Sequence, residues 1–168
     1  MKEGSPAYAE AEWLGRALAA RGHTVLTGGY MGAMEAVSKG AAEAGGHVVG
    51  VTCVEIERWH KRAANRWVTE ERKKQTLVER LQSLIEDCDA AMALPGGPGT
   101  LTEISLMWNL MIVGSLSRKR LILIGHAWRS VFDELIGKLG EYTPQRQREM
   151  LIFAADATAA IESLAKTA

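Results

Sequence analysis

Residues 95–103 read Pro-Gly-Gly-Pro-Gly-Thr-Leu-Thr-Glu, directly after the apolar run 90–94. Three glycines, two prolines, two hydroxyls and a carboxylate at the entry to a helix suit the capture of an anion. The first N–H groups of a helix have no intrahelical partner, and the helix dipole favours negative charge there. Gly96, Gly97 and Gly99 are expected to take positive φ angles and to let a phosphate approach the bare backbone. Pro95 and Pro98 restrict the loop before a ligand arrives, which lowers the entropy lost on binding. Thr100 is expected to cap the helix and to offer a hydroxyl to a phosphate oxygen. A ligand-free reading fits the same letters: Thr100 to Glu103 form a capping box, with Thr100 at the N-cap and Glu103 at N3. The loop is not a P-loop, because no Gly-Lys-Ser/Thr follows.

A second glycine-rich turn, Gly28, Gly29 and Gly32, also lies between a strand and a helix. It could contact the sugar or base edge of a nucleotide, or serve only close strand-to-helix packing. Glu35 reads as a charge at a helix N-terminus rather than a catalyst. Residues 58–74 hold seven Lys/Arg against two Glu, with Trp59 and Trp67 between them. Such a run suits a solvated surface first, then a lid over a base, and RNA binding last. His23, His47, His60 and His126 lack ligand spacing, so no metal is expected; no organic cofactor is expected either.

The whole-chain totals narrow the partners. Twenty basic and twenty acidic side chains cancel over 168 residues, giving no reason to expect nucleic acid or an anionic membrane. No apolar stretch approaches the roughly 20 residues that span a bilayer. Cys53 and Cys88 are far apart with no Cys-x-x-Cys and no secretory signal, which points to a reduced, cytoplasmic compartment where both pack as small apolar groups.

Alternating elements must position these residues. Helical periodicity over 6–22, 34–46, 73–87, 100–114, 128–140 and 156–167 alternates with short apolar runs at 24–29, 47–52, 90–95, 120–125 and 150–154. That order predicts one α/β domain over 1–168, a Rossmann-like doubly wound parallel sheet with helices on both faces. Residues 53–72 are long for an irregular segment and are therefore a functional candidate. Such folds normally open with a strand, whereas this chain opens with a helix. The first strand is thus expected to be missing from it, supplied by roughly 10–20 residues further upstream. Met107, Trp108 and Met111 have core or interface spacing, suiting a homodimer or higher homo-oligomer.

The run at 95–103 resembles the Pro-Gly-Gly-x-Gly-Thr-x-x-Glu signature of the Lonely-guy family. The resemblance extends through residues 4–22, 27–41 and 45–52. The family includes phosphoribohydrolases that cut the N-glycosidic bond of cytokinin nucleoside 5′-monophosphates, and proteins labelled lysine decarboxylases. The resemblance implies two catalytic residues, Glu103 and an arginine fifteen positions before Pro95, which is Arg80. Arg72 imitates the family's Arg-Lys pair in its letters but not in its spacing. Two departures point away from a cytokinin substrate more than from a nucleotide fold. Leu81 stands where the family has lysine, and the turn at 28–35 is one residue shorter than in cytokinin-activating members. The shorter turn is similar to a branch that includes proposed molybdenum-cofactor carriers, so a non-catalytic binder or carrier is the rival expectation. Nothing resembles a pyridoxal-phosphate site.

On this resemblance the ligand is a nucleoside 5′-monophosphate or a similar phosphate-bearing molecule. Breaking a ribosyl C–N bond builds positive charge at the sugar, which a carboxylate beneath it can stabilise while positioning water. Glu103, one turn beyond the loop, is expected to reach the ribose. Arg80 is expected to fix the carboxylate or the substrate hydroxyls, which its planar five-donor head suits.

Overall fold

The computed structural model describes residues 1–60 and 63–165. Its elements alternate as the sequence pattern requires. They are helix α1 (Pro6–Ala19), strand β1 (Val25–Thr27), α2 (Ala33–Glu43), β2 (Val48–Cys53), α3 (Val54–His60), β3 (Glu70–Lys74), α4 (Leu77–Glu86), β4 (Ala90–Ala93), α5 (Pro98–Ile112), β5 (Arg120–Ile124), α6 (His126–Leu139), α7 (Gln145–Arg148), β6 (Leu151–Ala154) and α8 (Ala157–Ala165). The chain divides into two units, Met1–Cys88 and Asp89–Ala168.

In the first unit β2 is the middle strand of a parallel sheet ordered β1-β2-β3, with Val25 opposite Val48 and Val51 opposite Arg72. Every residue of β2 is buried, as expected of a parallel strand covered on both faces. Helices α1 and α2 touch backbone to backbone. A methyl at Gly15 would sit 2.0 Å from the Val37 carbonyl oxygen, and one at Gly40 would sit 1.8 Å from that of Glu12. Small residues in the run 34–46 are therefore a packing requirement, reinforced by the Lys39–Glu12 and Arg16–Glu43 pairs at 3.0 and 2.9 Å.

The second unit repeats the plan with a parallel sheet ordered β4-β5-β6, Ile122 facing Met92 on one side and Ile152 on the other. Leu121 to Ile124 are buried, and Phe132 of α6 meets Trp108, Trp128 and Phe153 at ring distances of 5.9, 6.4 and 6.0 Å. Helices and parallel strands thus form the expected Rossmann-like α/β fold, but among the described residues the strands hydrogen-bond as two three-stranded sheets rather than one. β1 and β4 each have a single strand neighbour, so each ladder ends there.

Three further differences have local causes. Residues 53–72 are not a long loop, because α3 and β3 occupy much of them. β3, Glu-Glu-Arg-Lys-Lys, has no apolar alternation to announce it. Its ladder to buried β2 holds it, together with side-chain pairs: Glu70 with Arg72 and His47, Glu71 accepting from Thr52 at 2.5 Å, and Lys73 with Glu57. Helix α4 starts at Leu77 rather than 73, fixed by a capping box in which Thr76 accepts from the Glu79 amide and Glu79 accepts from Thr76. Short helical turns at Gly140–Tyr142 and Gln145–Arg148 join α6 to β6, where the sequence pattern shows no element.

Candidate functional site

The loop at 94–100 is anchored at its base and open at its tip. Trp128 Nε1 donates to the Leu94 carbonyl at 3.0 Å, and a Cβ on Gly125 would stand 3.5 Å from Pro95 Cγ. Pro95 to Gly99 are all exposed. The N-cap of α5 is Gly97, three residues earlier than the capping-box reading places it, and no side chain caps it. Thr100 therefore occupies N3, and Glu103 lies further into the helix, out of reach of a capping role. The capping box expected at 100–103 does not form; the one that does lies at 76–79. Proline at N1 explains the earlier start, since its fixed φ suits the first helical position. The first intrahelical bond runs from Leu101 N to Gly97 O. The N–H groups of Gly99 and Thr100 lie ahead of it at the positive end of the dipole.

The glycines of this loop also differ from expectation. None of Gly96, Gly97 or Gly99 has a positive φ. Gly96 is demanded by the chain itself, because a Cβ there would fall 2.2 Å from Thr100 Oγ1. Gly97 and Gly99 have open space where a Cβ would be. Neither backbone strain nor internal packing calls for glycine at these two positions. Glu103, half-buried, follows Gly99 and Thr100 by four and three residues and so shares their helix face.

The turn at 28–32 is filled by its own chain. Gly29 and Gly32 both have φ 76°, the left-handed region that favours glycine. Gly28 is a seat for Arg80: a Cβ there would lie 1.9 Å from Arg80 Nη2 and 2.6 Å from Met34 Sδ. Arg80 is 6% exposed. Its Nε donates to the Val51 carbonyl at 2.8 Å and its Nη2 to the Gly28 carbonyl at 3.2 Å, with the guanidinium 5.5 Å from the Tyr30 ring centre. These carbonyls belong to β2 and to the turn that follows β1, so Arg80 sits at the C-terminal ends of those parallel strands. Tyr30 is pinned in turn: its hydroxyl donates to the Cys53 carbonyl at 3.1 Å and accepts from the Cys53 amide at 2.9 Å. Burial pushes that hydroxyl up from its ordinary pKa, so it stays protonated as a donor.

Close packing, one of the two readings of Gly28 and Gly29, therefore has a specific content: it places a buried arginine. Arg80 lies in the unit 1–88 and Glu103 in the unit 89–168. Arg72, the arginine rejected on spacing, lies on β3 and pairs with Glu70 and Asp87. Two residues that hold the turn, Tyr30 within it and Asn65 beyond it, are not singled out by the sequence pattern. Only contacts spanning 23 and 36 residues reveal them.

The remaining candidates fall into the scaffold. Met107 and Met111 are buried, and half-buried Trp108 donates through Nε1 to the Gln147 carbonyl at 2.8 Å. Cys53 is buried, Cys88 is half-buried, and neither is in a disulfide. Of the basic segment 58–74, Lys61 and Arg62 lie outside the described residues. Among the described residues, no three His, Cys, Asp or Glu side chains are grouped to hold a metal, and no helix is long and apolar enough to cross a membrane.

Parallel strands whose C-terminal ends run into glycine-rich turns opening helices define a Rossmann-like α/β protein. The chain belongs to the SLOG cluster4 family, whose sequence model matches residues 2–125. It is 35% identical over 111 residues to the cytokinin riboside 5′-monophosphate phosphoribohydrolase of Mycobacterium marinum, covering 66% of this chain and 58% of that protein. The Mycobacterium tuberculosis protein of the same name is 37% identical over 110 residues, covering 62% and 58%. This chain thus spans under two thirds of the length of these curated relatives. Among solved structures, the molybdenum cofactor binding protein of Rippkaea orientalis shares the fold, with a TM-score of 0.74 at 24% identity over 97% of this chain and 89% of that one.

Proposed function

We propose that the protein is a phosphoribohydrolase acting on a nucleoside 5′-monophosphate. The observation that carries this is the pair Gly97 and Gly99, whose missing side chains serve nothing among the described residues, with Gly99 one helical turn before a carboxylate. The bare amides of Gly99 and Thr100 receive the 5′-phosphate, and the Thr100 hydroxyl adds a donor. Glu103, on the same face, stabilises positive charge at the ribose and takes a proton from water. The ribosyl C–N bond breaks with its electron pair leaving on the base, the water oxygen bonds the anomeric carbon, and the proton taken up by Glu103 passes to the base nitrogen through solvent, restoring the carboxylate. The products are free base and ribose 5-phosphate. Arg80 carries the second catalytic role that the resemblance gives it. The names of the curated relatives support the same reaction class.

Holding the phosphate far from the reacting bond orients that bond, where binding energy raises the rate. The test is incubation with a panel of nucleoside monophosphates, following free base and ribose 5-phosphate, for the wild type and Glu103→Ala. Turnover on one of them, lost by about 10²–10⁴-fold in the variant with binding retained, is the expected result. Binding without turnover on every member would instead favour a carrier of a nucleotide-like ligand such as molybdenum cofactor.

A further inference from the structure

The turn that seats Arg80 is itself held by a residue more than thirty positions away in sequence. Asn65 Nδ2 donates to the carbonyls of Gly29 at 3.0 Å and Tyr30 at 2.9 Å. Its backbone N–H donates to the same Gly29 carbonyl at 2.7 Å, and its Oδ1 accepts from the Trp67 amide at 3.1 Å. Three successive carbonyls of the turn are thereby assigned: Gly28 to Arg80, Gly29 and Tyr30 to Asn65. We infer that Asn65 is a positioning residue for Arg80, acting through the peptide units of the glycine turn.

Chemistry and local flexibility both support this. A side-chain amide has two N–H donors and an oxygen acceptor on one planar head, and Asn65 uses all three functions at once. The turn it grips contains two adjacent glycines, Gly28 and Gly29, whose torsions no Cβ restricts, although Arg80, Thr52 and Gly50 pack close around them. Removing the side-chain amide takes this donor from the buried Tyr30 carbonyl and leaves the Gly29 carbonyl with the Asn65 backbone N–H, a loss the turn can relieve by rotating these two peptides. The Gly28–Gly29 peptide, next to them in the chain and tied by its N–H to Thr27 Oγ1 at 3.1 Å, is pulled with them, and with it the oxygen that Arg80 Nη2 binds. The guanidinium then keeps its bond to Val51 and loses the one to Gly28.

The inference rests on the catalytic role proposed for Arg80, so its test has one arm that needs no turnover. In that arm, low-temperature NMR follows the Arg80 Nη2 protons, assigned by their absence in Arg80→Lys, with the β2 amides of Val49 and Val51 as internal controls. Asn65→Ala should speed exchange of the Arg80 Nη2 protons by about tenfold relative to those amides, the mark of a local opening. Equal acceleration of all three would show general destabilisation and overturn the inference. In the activity arm, Asn65→Ala should lower kcat with KM nearly unchanged when Arg80 is present, and lower it no further in Arg80→Ala. The same loss in both backgrounds would overturn it. Asn65→Asp keeps the acceptor for Trp67 but sets a carboxylate against two carbonyls, and should reproduce both effects. If neither variant folds, Asn65 belongs to the scaffold alone. A wild type inactive on every nucleotide would sink the proposed reaction, while the exchange arm would still decide the position of Arg80.

Discussion

The two glycine-rich turns look alike in sequence and are opposites in structure. At 28–32 the chain fills the space that side chains would occupy: Arg80 and Met34 crowd Gly28, Thr52 and Gly50 crowd Gly29, and two positive φ angles explain the rest. At 96–99 only Gly96 is explained by a neighbour, Thr100, while Gly97 and Gly99 are ordinary in φ and open at Cβ. A glycine forced by the fold reports on what the protein holds inside. A glycine the fold does not need reports on space kept for something else. The first turn is an arginine mount; the second, on the reading above, is a ligand cradle.

Adding a methyl to each turn sharpens that contrast. Gly28→Ala has the largest expected effect: displacing the Arg80 guanidinium should cost about 1–3 kcal/mol by overpacking, read as a lower unfolding midpoint in urea. Activity should fall with it, to the level of Arg80→Ala. Gly99→Ala should do the reverse. It sits in the first turn of α5 with open space at Cβ, so stability should hold or rise by up to about 1 kcal/mol. Affinity for a phosphate-bearing ligand, by calorimetry, should nonetheless drop about tenfold, or 1.4 kcal/mol. Loss of stability without loss of affinity at Gly99 would break the contrast outright.

Weaker perturbations probe the arginine mount from its helix. Arg80 lies just inside the first turn of α4, which Thr76 caps. Thr76→Ala should cost about 1 kcal/mol, or about 2–4 °C in Tm. Amides of Thr76 and Gln75 hold the Glu79 carboxyl below the usual range. The folded state thus takes up this proton less readily than the unfolded chain. The stabilisation is complete above the ordinary glutamate pKa of about 4.3 and is lost as pH falls through the lower folded value. Denaturation midpoints measured across acid pH should fall less steeply for Glu79→Gln than for the wild type.

Most of the architecture was legible in the sequence because apolar periodicity reports burial. β2 and β5 announce themselves by runs of valine, isoleucine and leucine, and α1 and α6 by helical spacing. β3 was hidden because an outer strand of five charged residues has no such signal; backbone pairing and ion pairs hold it instead. The capping box at 76–79 was readable, since Thr-x-x-Glu stands there as it does at 100–103. Proline at N1 of α5 decided against the second occurrence. Arg80 could be found only by its distance from a motif, and the reason it stays buried lies in carbonyls 29 and 52 residues away. Asn65 had no signal at all, being a lone amide whose partners are set by the tertiary fold.

The charged composition of β3 has a consequence for how copies of the protein meet. An outer strand offers free N–H and C=O groups, which in an apolar strand invite a neighbouring molecule to extend the sheet. Here the approach meets Glu70, Glu71, Arg72, Lys73 and Lys74, with alternate side chains exposed and several engaged in ion pairs. An incoming strand would gain little hydrophobic burial and would have to strip water from charges. This border is thereby protected against runaway self-association, and neutralising Lys73 and Lys74 together is the change that would expose the protein to it.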